Sequence, residues 1–285
     1  MDYCDRRKPA FVKKGNAMMK SLVSVIITTK NEGRYLEACL HSIKKQTYRA
    51  VEIEVVDNAS SDETKKIAKK FTSNVFDKGP ERSAQRNFGA ARARGDYLLF
   101  LDADMILEPS VIADCVRKAQ KGYEAITIPE KSVGVGFWAR CKAIEREYYQ
   151  GVEWMEAARF YKKEQFDRVH GYDESLTGPE DFELSQRIAS AVGKENVGRI
   201  SSFIVHDEGR LSLVGLLQKK YYYGKQMRRY SGVRESKSSF NKQANILRRY
   251  VLFFTKPSVF LKDPLHGIGM LFMKGMNLVH WQQAA

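Results

Sequence analysis

The chain has 285 residues, of which 43% are hydrophobic, and it carries a formal net charge of +14. This length is enough to bury a sizeable core and favours one large domain, alone or with an appendage. The four cysteines lie far apart and form no CxxC pair, which argues against a zinc site or a disulfide framework and is typical of a reducing compartment.

The positive charge is concentrated near the C-terminus. From Asp207 to Ala285 there are 14 Lys and Arg residues against 4 Asp and Glu residues, a local charge of +10, so the preceding residues carry only +4. Such a segment predicts an anionic partner, either a membrane surface or nucleic acid, while a solvated basic helix face is the alternative. Residues 1–20 lack the apolar core of a secretory signal, and we expect them to form a loose leader.

The first part of the chain alternates predicted strands and helices. The predicted strands are Val23–Thr29, Val51–Asp57 and Asn74–Phe76, and the predicted helices are Arg34–Gln46, a short one around Ile67 and Arg82–Arg94. Strand and helix alternating at this spacing predict a mostly parallel sheet covered by helices on both faces.

The next strand is the most apolar of the series. The run Tyr97–Leu101 predicts a strand buried on both faces, and it leads directly into Asp102, Ala103 and Asp104. In an extended chain the two carboxylates would point to the same side, where they would suit a hard divalent cation. A strand end capped by acidic residues is the alternative interpretation.

Polar clusters follow three of the predicted strands. These clusters are Thr28–Glu32, Asp57–Ser60 and Asp102–Asp104. Since ligands of open parallel sheets bind beyond the carboxyl ends of the strands, we expect the three clusters to converge on one rim.

The second part of the chain contributes further acids. The predicted elements are helices at Val111–Lys121, Phe137–Tyr149 and Lys163–Phe166, a strand at Ala125–Ile128, a helix opened by Pro179, Glu180 and Asp181, and a last strand at Ile200–Val205 followed by His206. Acids in the first turn of a helix are commonly caps. A carboxylate at a loop-to-helix junction is also rigid and exposed, and therefore suited to accept a proton.

The C-terminal segments mix basic, aromatic and apolar residues. They are predicted as helices at Leu211–Tyr230, Ile246–Phe254 and Leu265–Trp281. The last is 17 residues long and contains Lys274, so we expect no membrane-spanning helix. Short helices of this composition are typical of a membrane interface, and packing on the preceding domain or on another subunit is the alternative.

Five ordered segments together resemble the family-2 inverting glycosyltransferases of the GT-A fold. They are Val25–Glu32, Val55–Asp62, Ser83–Gly89, Phe100–Asp104 and Gly178–Asp181. The resemblance covers roughly Leu22–His206. It implies an α/β GT-A domain at residues 21–209, with a Rossmann-like, mostly parallel sheet and helices on both faces, followed by a basic helical tail at 210–285.

The resemblance also implies a nucleotide-sugar donor, of the UDP type, and bound Mn²⁺ or Mg²⁺. Asp104 matches the acid that holds the metal, and Asp102 matches the acid nearer the ribose and a metal-bound water. His206 resembles the histidine that completes metal coordination, although a lone histidine is more often structural. An imidazole ligand would favour Mn²⁺ over Mg²⁺.

Further positions match the donor site of the family. Asp57 matches the acid that accepts a hydrogen bond from the uracil ring. The other matching positions are Thr28, Lys30 and Glu32 around the nucleoside, and Arg86 and Asn87 near the base and phosphates. For Arg86 an exposed helix charge is the alternative.

Asp181 matches the general base of the family, and Glu180 would orient the acceptor or the base. Because a lipid phosphate is already an anion and needs no base, this pair favours a hydroxyl acceptor. We therefore expect an enzyme on the cytoplasmic face of a membrane that transfers a sugar to a glycan or lipid-linked glycan.

Three other interpretations remain open at this point. Transfer to a polyprenyl phosphate is the nearest, and a nucleotidyltransferase could use the same sheet and metal. The third is a non-enzymatic, basic nucleic-acid-binding protein. Against that one, the basic residues lie in the appendage and no recognition motif is present, so we expect no nucleic-acid partner; an oligomer is possible.

Overall fold

The computed structural model describes residues 21–219, 222, 242–243 and 245–284. The predicted leader at residues 1–20 lies outside the described residues, as does most of the predicted helix at Leu211–Tyr230, of which 213–219 is helical. The described strands are β1 Val23–Thr29, β2 Val51–Asp57, β3 Val75–Asp77, β4 Tyr97–Asp102, β5 Met105–Leu107, β6 Ala125–Thr127, β7 Glu130–Val135, β8 Ala158–Lys162, β9 Val197–Arg199 and β10 Ile204–Arg210.

Seven of these strands form one sheet in the order β3-β2-β1-β4-β8-β6-β9. All pairings in this sheet are parallel except those of β8, which runs antiparallel to both β4 and β6. A smaller sheet has the order β5-β10-β7. The predicted mostly parallel sheet is therefore confirmed.

The helices cover both faces of the large sheet. Their bounds are α1 Leu36–Lys44, α2 Thr64–Lys69, α3 Arg82–Arg92, α4 Val111–Ala119, α5 Phe137–Tyr149, α6 Lys163–Arg168, α7 Glu180–Val192, α8 Ile246–Phe254, α9 Pro257–Lys262 and α10 Pro264–Ala284. Alternate residues of β1 point to opposite faces, so Val25 and Ile27 pack with α1, α2 and α4, whereas Ile26 packs with α3, α6 and α7. Each strand end is thereby fixed between two apolar layers.

Three sequence-based expectations for local structure are wrong. The last strand begins at Ile204 and continues through Arg210, because it pairs with both β5 and β7; His206 therefore lies within the strand and not after it. Helix α3 ends at Arg92, two residues early. The segment before Lys163, for which the sequence pattern predicts no strand, forms strand β8.

The C-terminal helices pack on the outer side of α5. At Gly269 of α10 an added Cβ would lie 2.6 Å from Phe137 and 2.7 Å from Cys141, so only glycine permits this approach. The ammonium of Lys274, also on α10, forms a buried ion pair with Glu145 of α5. One face of the tail is therefore joined to the domain through specific contacts, as the packing alternative anticipated.

The tail helices do not meet the requirements for a transmembrane segment. None of the helices described is both long enough and apolar enough to cross a bilayer.

The buried Glu54 on β2 makes the stability of the fold depend on pH. It is 2% exposed, and its Oε2 has no hydrogen-bond partner among the described residues. Burial and the neighbouring Glu52 raise the pKa of Glu54 from 4.5 to about 7. The pKa of Glu54 is higher in the folded protein than in the unfolded chain. The free energy of unfolding is therefore at its full value, as far as Glu54 is concerned, below pH 4.5, and it decreases as the pH rises through about 7.

We expect Glu54→Gln to stabilise the protein at pH 8 by roughly 2 kcal/mol and to change little at pH 4.5, because an amide has no ionisation cost. Urea unfolding at the two pH values measures the effect. The exposed Glu63→Gln is the matched control and should follow the native protein at both. Equal losses of stability between pH 4.5 and 8 in native and Glu54→Gln proteins would contradict this account.

Candidate active site

The three predicted polar clusters lie at one edge of the large sheet. In the parallel pairings of β1, Thr29 lies opposite Asp57 and Thr28 lies opposite Asp102. The chain then turns at Ala103 and Asp104. The expectation of two aspartates alternating along one extended strand is therefore wrong, and their carboxylates have different partners.

Arg86 of α3 is fully buried at the centre of this edge. Its Nη2 donates to Asp102 Oδ1 at 2.8 Å, and its Nη1 donates to Asp181 Oδ1 at 2.9 Å and lies 3.4 Å from Glu180 Oε1. The alternative of an exposed helix charge is wrong. One guanidinium thus joins α3, β4 and α7 through carboxylates from distant parts of the chain.

The two acids at the start of α7 differ in exposure. The Asp181 side chain is 17% exposed, whereas that of Glu180 is 2% exposed and pairs with Arg82 at 3.2 Å. Glu180 also accepts a hydrogen bond from the backbone N–H of Gly178. Burial and the adjacent Asp181 raise the pKa of Glu180, against the opposing effects of the nearby arginines. Of the pair, Asp181 is therefore the acid that a ligand can reach.

A second buried arginine, Arg159 of β8, was not identified from the sequence. Its Nε donates to Glu130 Oε1 at 2.6 Å, and its Nη1 and Nη2 lie 3.6 Å from Asp181 Oδ2 and 3.9 Å from Asp102 Oδ2. Burial would raise the pKa of Asp102, but Arg86 and Arg159 outweigh it and hold that pKa below its ordinary range. A single arginine between the apolar residues of β8 was the available signal.

Asp104 and His206 form a separate pair. Asp104 Oδ2 lies 3.1 Å from His206 Nε2, and His206 Nδ1 lies 3.5 Å from Glu130 Oε2. Burial lowers the pKa of His206, but the hydrogen bonds to Asp104 and Glu130 outweigh burial and raise it to about 9. Asp104 Oδ1 is buried without a hydrogen-bond partner in the described part of the chain.

This pair fits a divalent cation that shares its ligands with a substrate. Among the residues described, no three His, Cys, Asp or Glu side chains are grouped as a metal cluster. A cation bound by one or two protein ligands, with phosphate oxygens and water completing its shell, needs no larger cluster. Asp102, predicted as a further ligand, instead uses its Oδ1 for Arg86.

Asp57, the predicted uracil-binding residue, is fully buried. Its Oδ1 accepts from the hydroxyls of Thr29 at 2.7 Å and Ser60 at 2.6 Å, and its Oδ2 accepts from the Ser60 N–H at 2.7 Å. One acceptor position remains on Oδ2. The carboxylate therefore shapes the loop after β2 and retains the capacity for one more bond.

The remaining predicted donor-site residues differ in their surroundings. Lys30 is exposed at the rim. Partial burial of the Glu32 side chain, together with the negative charges of Asp104 and Asp102, raises the pKa of Glu32 from 4.5 to about 7. The Thr28 hydroxyl donates to Asp102 at 3.4 Å.

Asn87 departs from the expected contact with a base or phosphate. Its Nδ2 donates to Tyr172 O at 2.9 Å and to Glu174 Oε1 at 3.0 Å, and its Oδ1 accepts from the Tyr172 N–H at 2.8 Å. Both amide donors are thus used by the loop before α7. Asn87 holds that loop, and so positions Tyr172, whose hydroxyl donates to Asp181 at 3.1 Å.

A cavity of about 390 Å³ opens onto the groups around Asp181 and Arg159, and its described lining does not include Arg86, Asp57 or Asp104. Its walls include Asp102, Arg159, Asp181 and His206, and also Lys219 from the start of the tail. The buried Arg159 guanidinium can bind an anionic group there, and the accessible Asp181 carboxylate beside it can accept a proton.

The sequence profile of the family described as Glycosyl transferase family 2 matches residues 24–175. Among known proteins, the chain is 28% identical over 206 residues to glycosyltransferase GlyA of Streptococcus pneumoniae, a match to 70% of this chain and 28% of the relative. It is 32% identical over 111 residues to the GalNAc(5)-diNAcBac-PP-undecaprenol beta-1,3-glucosyltransferase of Campylobacter jejuni, covering 35% of each chain. The chain thus spans about a third of the length of the curated relatives it matches.

Solved structures share the architecture. The mannosyltransferase PcManGT from Pyrobaculum calidifontis, in complex with GDP-Man and Mn²⁺, superposes with a TM-score of 0.56 at 16% identity over 92% of this chain and 88% of its own. Residues 1–349 of Staphylococcus aureus TarS, in complex with UDP-GlcNAc, superpose with a TM-score of 0.52 at 16% identity, over 92% of this chain and 90% of the TarS chain. These likenesses confirm the predicted GT-A fold.

Proposed function

The chain belongs to glycosyl transferase family 2, and from that membership we propose that it transfers a sugar from a nucleotide-sugar donor, of the UDP type, to an acceptor hydroxyl with inversion at the anomeric carbon. The observation that carries the proposal is the position of Asp181. It is the accessible acid of its pair, and it faces the cavity beside two buried arginines at the carboxyl edge of the sheet.

Asp181 is placed to act as the general base. Its Oδ1 is held by Arg86 and by the Tyr172 hydroxyl, which fixes the orientation of the carboxylate, while Oδ2 lies 3.6 Å from Arg159 Nη1. The acceptor hydroxyl gives its proton to Asp181 as its oxygen bonds to the anomeric carbon. The bond from that carbon to the phosphate oxygen breaks on the opposite side, and the nucleoside diphosphate leaves with the electron pair.

Arg159 supports the charge of the leaving group. Its Nη1 is buried and has no hydrogen-bond acceptor among the described residues, and it lines the same cavity as Asp181. A phosphate oxygen would satisfy this donor, and a preformed guanidinium in a buried site stabilises developing negative charge efficiently.

A divalent cation belongs to the same proposal. Asp104 and His206 would hold it, since Asp104 retains a buried oxygen with no hydrogen-bond partner among the described residues and the imidazole lies beside the other oxygen. When bound, Mn²⁺ or Mg²⁺ supplies Lewis-acid neutralisation of the diphosphate, and the imidazole favours Mn²⁺.

We expect Asp104→Asn to weaken Mn²⁺ binding in the presence of UDP by at least about 10- to 100-fold, the cost of losing even a residue that only supports a metal ligand, because it removes the charged ligand of the pair. The electron paramagnetic resonance signal of free Mn²⁺ reports this directly. Asp77→Asn, which alters an exposed ion pair with Lys65, is the control and should bind as the native protein does. Equal Mn²⁺ affinity in Asp104→Asn would exclude Asp104 as a ligand.

The acceptor we propose is a glycan or lipid-linked glycan at the cytoplasmic face of a membrane. The name of the Campylobacter relative, which includes PP-undecaprenol, supports a lipid-linked acceptor. The thiols of Cys39, Cys115 and Cys141 are free and buried, which is consistent with a reducing compartment.

Turnover of a donor panel tests the proposed function. The full chain is incubated with Mn²⁺ and UDP-glucose, UDP-galactose, UDP-N-acetylglucosamine or GDP-mannose, with water as the acceptor. Nucleoside diphosphate release and the first anomer of the free sugar are followed by NMR. Release of UDP with an inverted anomer, absent in Asp181→Asn, is the expected result. Preference for GDP-mannose would overturn the UDP assignment. No turnover of any donor, together with salt-sensitive RNA binding, would favour the nucleic-acid-binding interpretation.

A further inference from the structure

Helix α10 has apolar residues on two different sides. Met270 and Met273 are buried against α5. Leu265, Ile268 and Phe272 are all more than half exposed. At 100° per residue the centre of the second set lies about 140° around the helix from the centre of the first. Packing on the domain therefore leaves a complete apolar stripe of α10 facing outward.

Helices α8 and α9 repeat this arrangement. Phe253 of α8 is buried, while Leu247, Val251 and Phe254 lie on the other side of the helix and are exposed. Leu261 of α9 is likewise exposed. We call the seven residues together the outer face: Leu247, Val251, Phe254, Leu261, Leu265, Ile268 and Phe272, which are 53 to 77% exposed. Single exposed apolar residues are common, but a set ordered at helical spacing on neighbouring helices marks an interaction surface.

The charges next to the outer face are positive. Arg248 and Lys262 are exposed beside it, on α8 and α9. The acid of this region, Asp263, bonds Arg140 at 2.9 Å and His266 at 2.7 Å, so its charge is compensated within the protein. An apolar face bordered by cations complements an anionic surface with an apolar interior.

We propose that the outer face docks the protein on an anionic lipid bilayer, with α8, α9 and α10 lying in the plane of its interface. The local charge of +10 after residue 206 adds long-range attraction to such a surface. A second copy of this chain would bring like charges together, so the observations favour lipid.

The helix that supports the outer face also forms a wall of the catalytic cavity. Arg146 and Tyr149 of α5 line the cavity, while Cys141 and Ile144 pack with the tail helices. A helix is roughly 10 Å across, so two helix layers place the cavity about 20 Å from the lipid. The docked protein would reach an acceptor carried on the membrane surface; this consequence rests on the proposed function, whereas docking itself does not.

Vesicle flotation of the full chain tests the proposal. Vesicles of phosphatidylcholine with phosphatidylglycerol are compared with pure phosphatidylcholine at low and high NaCl. The test variant is Phe254→Ser/Leu265→Ser/Phe272→Ser, and the control is Val133→Ser/Val135→Ser, which alters two exposed valines of β7. Binding of UDP with Mn²⁺ by both variants shows that they are folded and have a working donor site.

We expect the native protein and the control to float with anionic vesicles, and the test variant to lose at least about tenfold in partition coefficient. High salt should weaken flotation without abolishing it, since apolar contacts are not screened. Sedimentation velocity accompanies the assay. No native flotation at low salt, unchanged flotation of the test variant, or a native dimer that the test variant dissociates would each overturn the proposal.

Discussion

Replacing Asp181 with asparagine is expected to lower the rate of sugar transfer by about 10²- to 10⁴-fold, the range that loss of a general base produces. The amide preserves the shape of the side chain and keeps an oxygen for Arg86 and Tyr172, which now bond the carboxylate at 2.9 and 3.1 Å. The loss should therefore appear in kcat, with little change in UDP affinity.

Asp167→Asn is the matched control for this variant. Asp167 belongs to an exposed pair with Lys163 on α6, and its replacement should leave both kcat and KM unchanged. Transfer at the native rate by Asp181→Asn would contradict the assignment of the base. It would support a polyprenyl-phosphate acceptor, whose oxygen is already an anion.

Replacing Arg86 with methionine is expected to destabilise the fold by about 3–5 kcal/mol, the cost of leaving buried charges without their partner. Arg86 is completely buried and pairs with Asp102 and Asp181 at 2.8 and 2.9 Å. Methionine fills much of the same space but leaves these acids uncompensated. Urea unfolding with native and variant proteins at pH 7 measures the loss.

Two further variants show whether charge pairing causes that loss. Arg117→Met removes an exposed pair with Asp114 and should cost no more than about 1 kcal/mol. Adding Asp102→Asn to Arg86→Met should restore part of the stability, because it removes one of the uncompensated charges. A loss in Arg86→Met no larger than that in Arg117→Met would show that the buried cluster contributes little.

Much of the fold follows from local sequence patterns. The strand β4 is a nearly continuous apolar run, β1 and β2 are rich in β-branched residues, and the three strands pair as the strand–helix alternation predicts. Strand β8 was missed because its two antiparallel partners, β4 and β6, determine its conformation, and its sequence has no clear alternation. In the same way, pairing with β7 extends β10 to Arg210, well past the apolar residues that predicted a strand.

The candidate site could be predicted only in part from the sequence. Motif order indicated which acids follow each strand, but the partners of those acids depend on packing. Arg86 looks like one of several arginines on α3; it is buried because α3 approaches β1 closely at Gly89, where an added Cβ would lie 2.6 Å from Ile26. The involvement of Arg159 depends on β8 lying beside β4, which no local pattern predicts.

Calorimetric titration of UDP into the full chain, first with Mn²⁺ and then with excess EDTA, tests the central claim most directly. GDP is titrated in parallel to compare the two nucleotides. The account predicts saturable UDP binding with Mn²⁺, weaker GDP binding, and loss of the UDP signal in EDTA, because Asp104 and His206 bind the diphosphate only through a shared cation. Absence of binding by either nucleotide under both conditions would contradict the assignment of this cavity as a nucleotide-sugar site.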